Sequence, residues 1–356
     1  MKKILFLTTA FCAVAGLARA DITMVSWGGV YEKSQVEAYN KPFIAETGIG
    51  VTMTSSDNPA APIKAMVEAG NVTIDVADLE YVDAVRLCDE GFLEEIDAAV
   101  LPAAPDGTPA TEDFLEGALT NCAVSSTVIS TIFAYNNAAF TEKQPSTIAD
   151  FFDVETFPGK RGLRKDAKGN LEMALMADGV PAAGVYEILA TPEGVDRALR
   201  VLDKVKGQTV WWEAGAQPAQ LLADGEVAMS TIYNGRAFSA VVSEGKELTS
   251  VWDGQLQYFE VFVIPKGAPN KEEALEYIKF ATDTQRLADQ AKYVPYGPAR
   301  KSSLPLVGLF EDGKTSMLEH MPTAEHHMTN ALISSSEFWA DYNDELAERF
   351  NTWLLN

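Results

Sequence analysis

DITMVSWGGVYEKSQVEAYNKPFIAETGIGVTMTS, Asp21 to Ser55, decides how the chain folds. Asp21 to Trp27 is apolar with strand character and runs into Gly28-Gly29, where two glycines let the backbone turn tightly. From Tyr31 to Thr47, Val36, Tyr39, Phe43 and Ile44 fall on one helical stripe, which Gly48 stops. Gly50 to Thr54 alternates as a second strand. Further on, Pro62 to Ala69 reads as a helix and Ile74 to Leu79 (IDVADL) as a third strand ending at Glu80-Tyr81. Val82 to Glu90 is the helix that Gly91 closes. Strand and helix alternating in this way build parallel βα units, whose ligands sit outside the carboxyl ends of the strands. Trp27, Tyr31 and Glu80 all follow such ends.

Residues 1–20 have the plan of a cleavable secretory leader: Lys2 and Lys3, an apolar run from Ile4 to Leu17, then Ala18-Arg19-Ala20. Cleavage is expected after Ala20, with export to the periplasm. No later stretch reaches the roughly 18 apolar residues of a membrane span. The formal net charge is −23, and the leader carries only basic charges, so the exported chain is more acidic still. Such a surface excludes nucleic acid as a partner. At 356 residues the chain exceeds one growing core, and two domains are expected. Outside the leader only Cys88 and Cys122 remain, enough for at most one disulfide or for two small buried residues. His320, His326 and His327 lack metal-ligand spacing, so neither a metal nor a cofactor is expected.

Later stretches carry the chemistry. TVWWEAGAQPAQLLADGEVAMSTIYNGR, Thr209 to Arg236, brings Trp211, Trp212 and Glu213 into a short helix, then a strand ending at Tyr233-Asn234-Gly235-Arg236. Rings beside charges suit a cleft in which flat faces stack on a solute and charges fix its ends. Val124 to Tyr135 is β-branched enough for one long strand or a pair, and a candidate crossing between domains. In QLQYFEVFVIP, Gln255 to Pro265, alternation places Tyr258, Glu260 and Phe262 on one face. A carboxylate among such neighbours is costly unless paired.

The stretches SWGGVYEKS (Ser26–Ser34), IDVADLEYVDAVRLCDEGFLEEID (Ile74–Asp97), IADFFDVETFPGKRGL (Ile148–Leu163), LADGEVAMSTIYNGR (Leu222–Arg236) and YFEVFVIPKGAPNKEEALEYIKF (Tyr258–Phe280) resemble the periplasmic solute-binding proteins of ABC importers, in their putrescine- and spermidine-binding branch. The resemblance implies an α/β, two-lobe periplasmic binding protein fold of type II with the ligand cleft between the lobes. Residues 21–130 and 266–356 would form the first lobe and residues 131–265 the second. A monomer would close on a small amine and deliver it to a membrane permease. By this resemblance Trp27 and Tyr31 form the first-lobe clamp, near Glu80. Trp211 or Trp212, with Glu213, faces them. Tyr233 stacks on the solute, Glu260 takes the amine with Tyr258 on its face, and Tyr296 lines the cleft.

Arg236 departs from that pattern, which carries an amine-binding Asp after the aromatic-x-Gly turn. A guanidinium is a planar donor for carboxylate or phosphate. Three readings therefore stay open: a polyamine ligand, a zwitterion such as γ-aminobutyrate or a betaine whose acid Arg236 binds, or an Arg236 that pairs with Glu213 or Glu260. The chain has no GxSxG elbow and no phosphate loop, and enzymatic chemistry is not expected.

Overall fold

The computed structural model describes residues 19–356, so the expected leader lies outside the described residues apart from Arg19 and Ala20. The opening stretch forms β1 (Ile22–Ser26) and β2 (Val51–Ser55), joined by helical chain from Gly29 to Thr47 whose middle, Val36–Asn40, widens into a π-turn. Gly48, at φ 75°, stops it in the left-handed conformation that glycine adopts without strain. β3 (Val76–Glu80) follows a helix over Ala60–Glu68 and leads directly into a helix over Tyr81–Asp89. β1 lies between β2 and β3, and all three are parallel.

The β-branched run becomes one strand, β4 (Ala123–Asn136), rather than a pair. After it come β5 (Arg161–Arg164), β6 (Thr209–Trp212), β7 (Met229–Tyr233) and the long β8 (Leu248–Val263). The strand order β2-β1-β3-β8-β4-β7-β5-β6 repeats one plan twice. In each half the first strand of a parallel set lies inside, the second outside, and the third runs antiparallel to a crossing strand. The crossing strands β4 and β8 pair antiparallel and pass from one lobe into the other. Their register shifts between Ser125 and Thr127 and between Thr131 and Phe133, on either side of the middle. Bulges at those points are where a two-lobe sheet can bend.

Each lobe has its own core. Tyr39, Phe43, Phe262, Tyr277 and Ile278 fill the first, the last two from the helix Lys271–Ala281. Phe151, Phe157, Leu171, Leu175 and Leu202 fill the second. The terminal helix Ser336–Leu355 corrects the lobe boundary read from sequence. It also touches the helix Tyr81–Asp89, but it buries Phe338, Trp339, Leu346 and Phe350 in the second-lobe core. Its Arg349 donates to Asp196 of the second lobe, and the Trp339 indole donates to buried Glu172 at 2.7 Å. Cys88 and Cys122 form a disulfide that ties the helix after β3 to the start of β4.

Candidate functional site

The doubled plan points the carboxyl ends of both parallel sets at one gap. β1 delivers Trp27, β2 delivers Asp57, and β3 ends on Glu80. From the other lobe β5 ends on Arg164, β6 leads to Glu213, and β7 ends on Tyr233. The crossing strands add Ile129 and Glu260 as the floor. With Tyr31, Tyr296, Gly215 and Arg236 these residues line a cavity of about 460 Å3, counted out to its mouth.

Two close approaches shape its walls. Arg236 Nη2 donates to the carbonyls of Trp27 (3.3 Å) and Gly28 (2.9 Å), across the lobes. Gly29, at φ 59°, leaves room for it, since a Cβ there would lie 2.0 Å from Arg236 Nη1. Gly235 likewise admits the Tyr296 ring, 2.5 Å from where its Cβ would be. Tyr296 in turn packs on Tyr31 with centroids 5.4 Å apart.

The charges are unevenly satisfied. Glu80 receives Arg164 Nη1 at 2.7 Å and Lys168 Nζ at 2.5 Å, both from the second lobe. Burial would raise its pKa, but those two cations outweigh burial and hold it at about 2. Glu260 is 3% exposed and has no cation among the described residues; the Trp27 indole donates to it at 3.0 Å. Burial, then the neighbouring Asp78 and Glu80, pushes its pKa well above the usual carboxylate range. Asp78, behind it on β3, accepts from Tyr31 at 2.8 Å and from Gln35. Burial raises it to about 7 against those hydrogen bonds. Among the described residues Arg236 meets only carbonyl oxygens; of the two acids proposed for it from sequence, Glu213 pairs with Lys165 at 3.0 Å on the exposed rim and Glu260 accepts from the Trp27 indole.

Eight residues named from sequence meet in this cavity: Trp27, Tyr31, Glu80, Glu213, Tyr233, Arg236, Glu260 and Tyr296. Three do not line it. Trp211 packs edge-on against Phe350 and Trp353 of the terminal helix, at 5.8 and 6.0 Å, because adjacent residues of β6 face opposite sides. Trp212 is buried with its ring edge-on to Tyr233 at 5.8 Å, so it backs the wall rather than forming it. It lines an adjoining cavity, as does Tyr258, whose hydroxyl lies 3.4 Å from Thr131 Oγ1. Sequence reading missed Asp57, Ile129, Arg164 and Gly215 at the cavity, and Asp78 and Lys168 behind it. The strand-end rule that singled out Trp27 applies equally to Asp57 and Arg164.

Residues 36–323 match the family described as bacterial extracellular solute-binding protein. The chain is 42% identical over 344 residues to the gamma-aminobutyric acid-binding protein of Pseudomonas aeruginosa, covering 97% of this chain and 94% of the relative. Among solved structures, the PBP MotA of A. tumefaciens B6 in complex with glucopine superposes with a TM-score of 0.85 at 29% identity, over 94% and 99% of the two chains. The Atu4243-GABA receptor does so with a TM-score of 0.79 at 31% identity, over 94% and 97%. The spermidine/putrescine-binding periplasmic protein of Escherichia coli is 27% identical over 67% of each chain. The two-lobe fold with its cleft is therefore the fold of these proteins, and the polyamine branch named from sequence is a distant relation.

Proposed function

Because the chain belongs to the bacterial extracellular solute-binding proteins, we propose that it is the receptor of an ABC importer for a small zwitterion with an amine at one end and a carboxylate at the other, of the γ-aminobutyrate class. It captures this solute between its lobes, without chemical change, for a membrane permease. The observation that carries the reading is Arg236: its guanidinium faces the same cavity as Glu260 and has no acid partner among the described residues. Trp27 separates the two charges, its indole on Glu260 and its carbonyl on Arg236. A linear solute with opposite charges at its ends suits that spacing.

In this reading Glu260 takes the ammonium, against the rings of Trp27, Tyr31, Tyr233 and Tyr296. A well-placed ring contributes about 0.5–2 kcal/mol to a cation. Arg236, which shares the cavity lining with Arg164, takes the carboxylate through charge-assisted hydrogen bonds worth about 1.5–3 kcal/mol each. A diamine would set its second ammonium against these guanidiniums, which disfavours the polyamine alternative. The relatives that bind γ-aminobutyrate support the same choice.

Titration calorimetry against γ-aminobutyrate, putrescine and spermidine tests it. γ-Aminobutyrate is expected to bind one-to-one and the polyamines at least tenfold more weakly. Arg236→Ala should cost γ-aminobutyrate roughly ten- to a hundredfold in affinity and narrow the preference over putrescine. Tighter binding of putrescine or spermidine than of γ-aminobutyrate by the unaltered protein would overturn the reading.

A further inference from the structure

Asp78, Glu80 and Glu260 bring three buried carboxyl groups to one face of the β3–β8 ladder, and both available cations go to Glu80. Glu80 lies opposite Glu260 in register, and Asp78 is the next residue along the same face. Asp78 and Glu260 are therefore diagonal neighbours on that face of the adjacent strands. Among the described residues the side-chain donors to them are neutral: Trp27 on Glu260, and Tyr31 and Gln35 on Asp78. Asp78 Oδ1 is fully buried and lacks a donor among the described residues. An acceptor so placed is normally satisfied, and two adjacent buried carboxylates cannot both ionise cheaply. One proton between them removes both difficulties.

We propose that Asp78 and Glu260 share one proton in the ligand-free site and that the ammonium of the solute displaces it, so that binding releases a proton to solvent. Asp78 is then a positioning residue: it never meets the solute, but it keeps Glu260 protonated until a cation arrives. The balance is simple. A carboxyl group and an ammonium enter, a carboxylate–ammonium pair remains, and one proton passes to the buffer. The raised pKa values of both carboxyls accord with this arrangement.

The other charges facing the pair do not alter it. Glu80 on β3 repels an ionised Glu260, and Arg164 and Lys168 are spent on Glu80. Arg236 lines the same cavity from the second lobe. Tyr31, Tyr233, Tyr258 and Tyr296 carry pKa values raised by burial and stay neutral at physiological pH.

This inference rests on the amine-receptor reading, and the experiment separates the two. Calorimetry with γ-aminobutyrate at pH 6, in buffers of different ionisation enthalpy, should show nearly one proton released per molecule bound. Affinity should rise up to tenfold per pH unit until the pair is ionised, then level off. Asp78→Asn should shift the release to lower pH, so that it falls off where the unaltered protein still releases its proton, while binding persists, because the amide removes the neighbouring charge that adds to burial in holding the Glu260 proton. Gain of an ordered site alone would not move the proton count. Binding without proton release, or a release profile in Asp78→Asn that matches the unaltered protein at every pH, overturns the inference and leaves the reading standing. Should Asp78→Asn fail to fold, the buffer series on the unaltered protein still decides. No heat with γ-aminobutyrate at any pH overturns both.

Discussion

Glu80 and Glu260 are the same residue type, on the same face of adjacent strands, directly opposite each other in register. Like charges so placed destabilise a sheet, and the two positions answer this in opposite ways. Glu80 is joined by Arg164 and Lys168 and held at about 2, whereas Glu260 has a tryptophan N–H and an aspartate for company and is pushed up. The difference comes from the lobes. The cations of Glu80 arrive from β5 and the segment after it, in the second lobe, so that carboxylate ties one lobe to the other. Glu260 is left without a cation from either lobe, and the missing charge is the one a solute can bring.

The sharpest way to break this contrast is Glu80→Gln. It leaves Arg164 and Lys168 beside a neutral amide, and buried pairs broken at one partner are strongly destabilised. Holding a carboxyl at about 2 instead of 4.5 corresponds to about 3 kcal/mol. Denaturant unfolding should show a loss of that order, and solution scattering a larger radius of gyration as the lobes part. An unchanged midpoint and radius would mean that the ion pair across the lobes contributes nothing to closure.

Much of this contrast was written locally in the chain and some of it was not. Alternation through Gln255–Pro265 put Glu260 among apolar neighbours, and the Gly28-Gly29 turn marked where a partner could approach. Arg236 stood out because a single residue departed from a family pattern. The cations of Glu80 lie 84 and 88 residues away on the other lobe, in a lobe-to-lobe contact that no local period encodes. Trp211 and Trp212 were indistinguishable because which face of β6 looks inward depends on the terminal helix, whose Phe350 and Trp353 claim Trp211. The same helix defeated the lobe boundary, since an apolar ridge declares that it will be buried but not against what.

A pH series on the ligand-free protein sharpens the comparison, because the two carboxyls act on opposite sides. Glu80 has its folded pKa depressed, so its stabilisation is complete above about 4.5 and is lost as pH falls through about 2. Asp78, Glu260 and Glu172 have theirs raised, Asp78 and Glu172 to about 7. Protons they keep when folded are lost as pH rises, so stability should decline from about 4.5 to about 7. The melting temperature is therefore expected to peak between these limits. Glu80→Gln should flatten only the acid side, and Asp78→Asn should flatten part of the neutral side.

The smallest effect, and the most discriminating, belongs to Glu260→Gln. An amide is close in shape to a protonated carboxyl: its oxygen can accept from the Trp27 indole and its NH2 can donate to Asp78. At pH 5 the ligand-free variant should lie within about 1 kcal/mol of the unaltered protein, the cost of exchanging one neutral hydrogen-bonding group for another. At pH 8, where folding must hold a proton that the unfolded chain has released, the variant should be the more stable of the two. Binding of an amine should nevertheless suffer at both pH values, since the amide offers no charge to the ammonium. A residue whose neutral replacement stabilises the empty protein while disabling the filled one is kept for its ligand, whereas Glu80, whose neutral replacement weakens the empty protein, is kept for the fold.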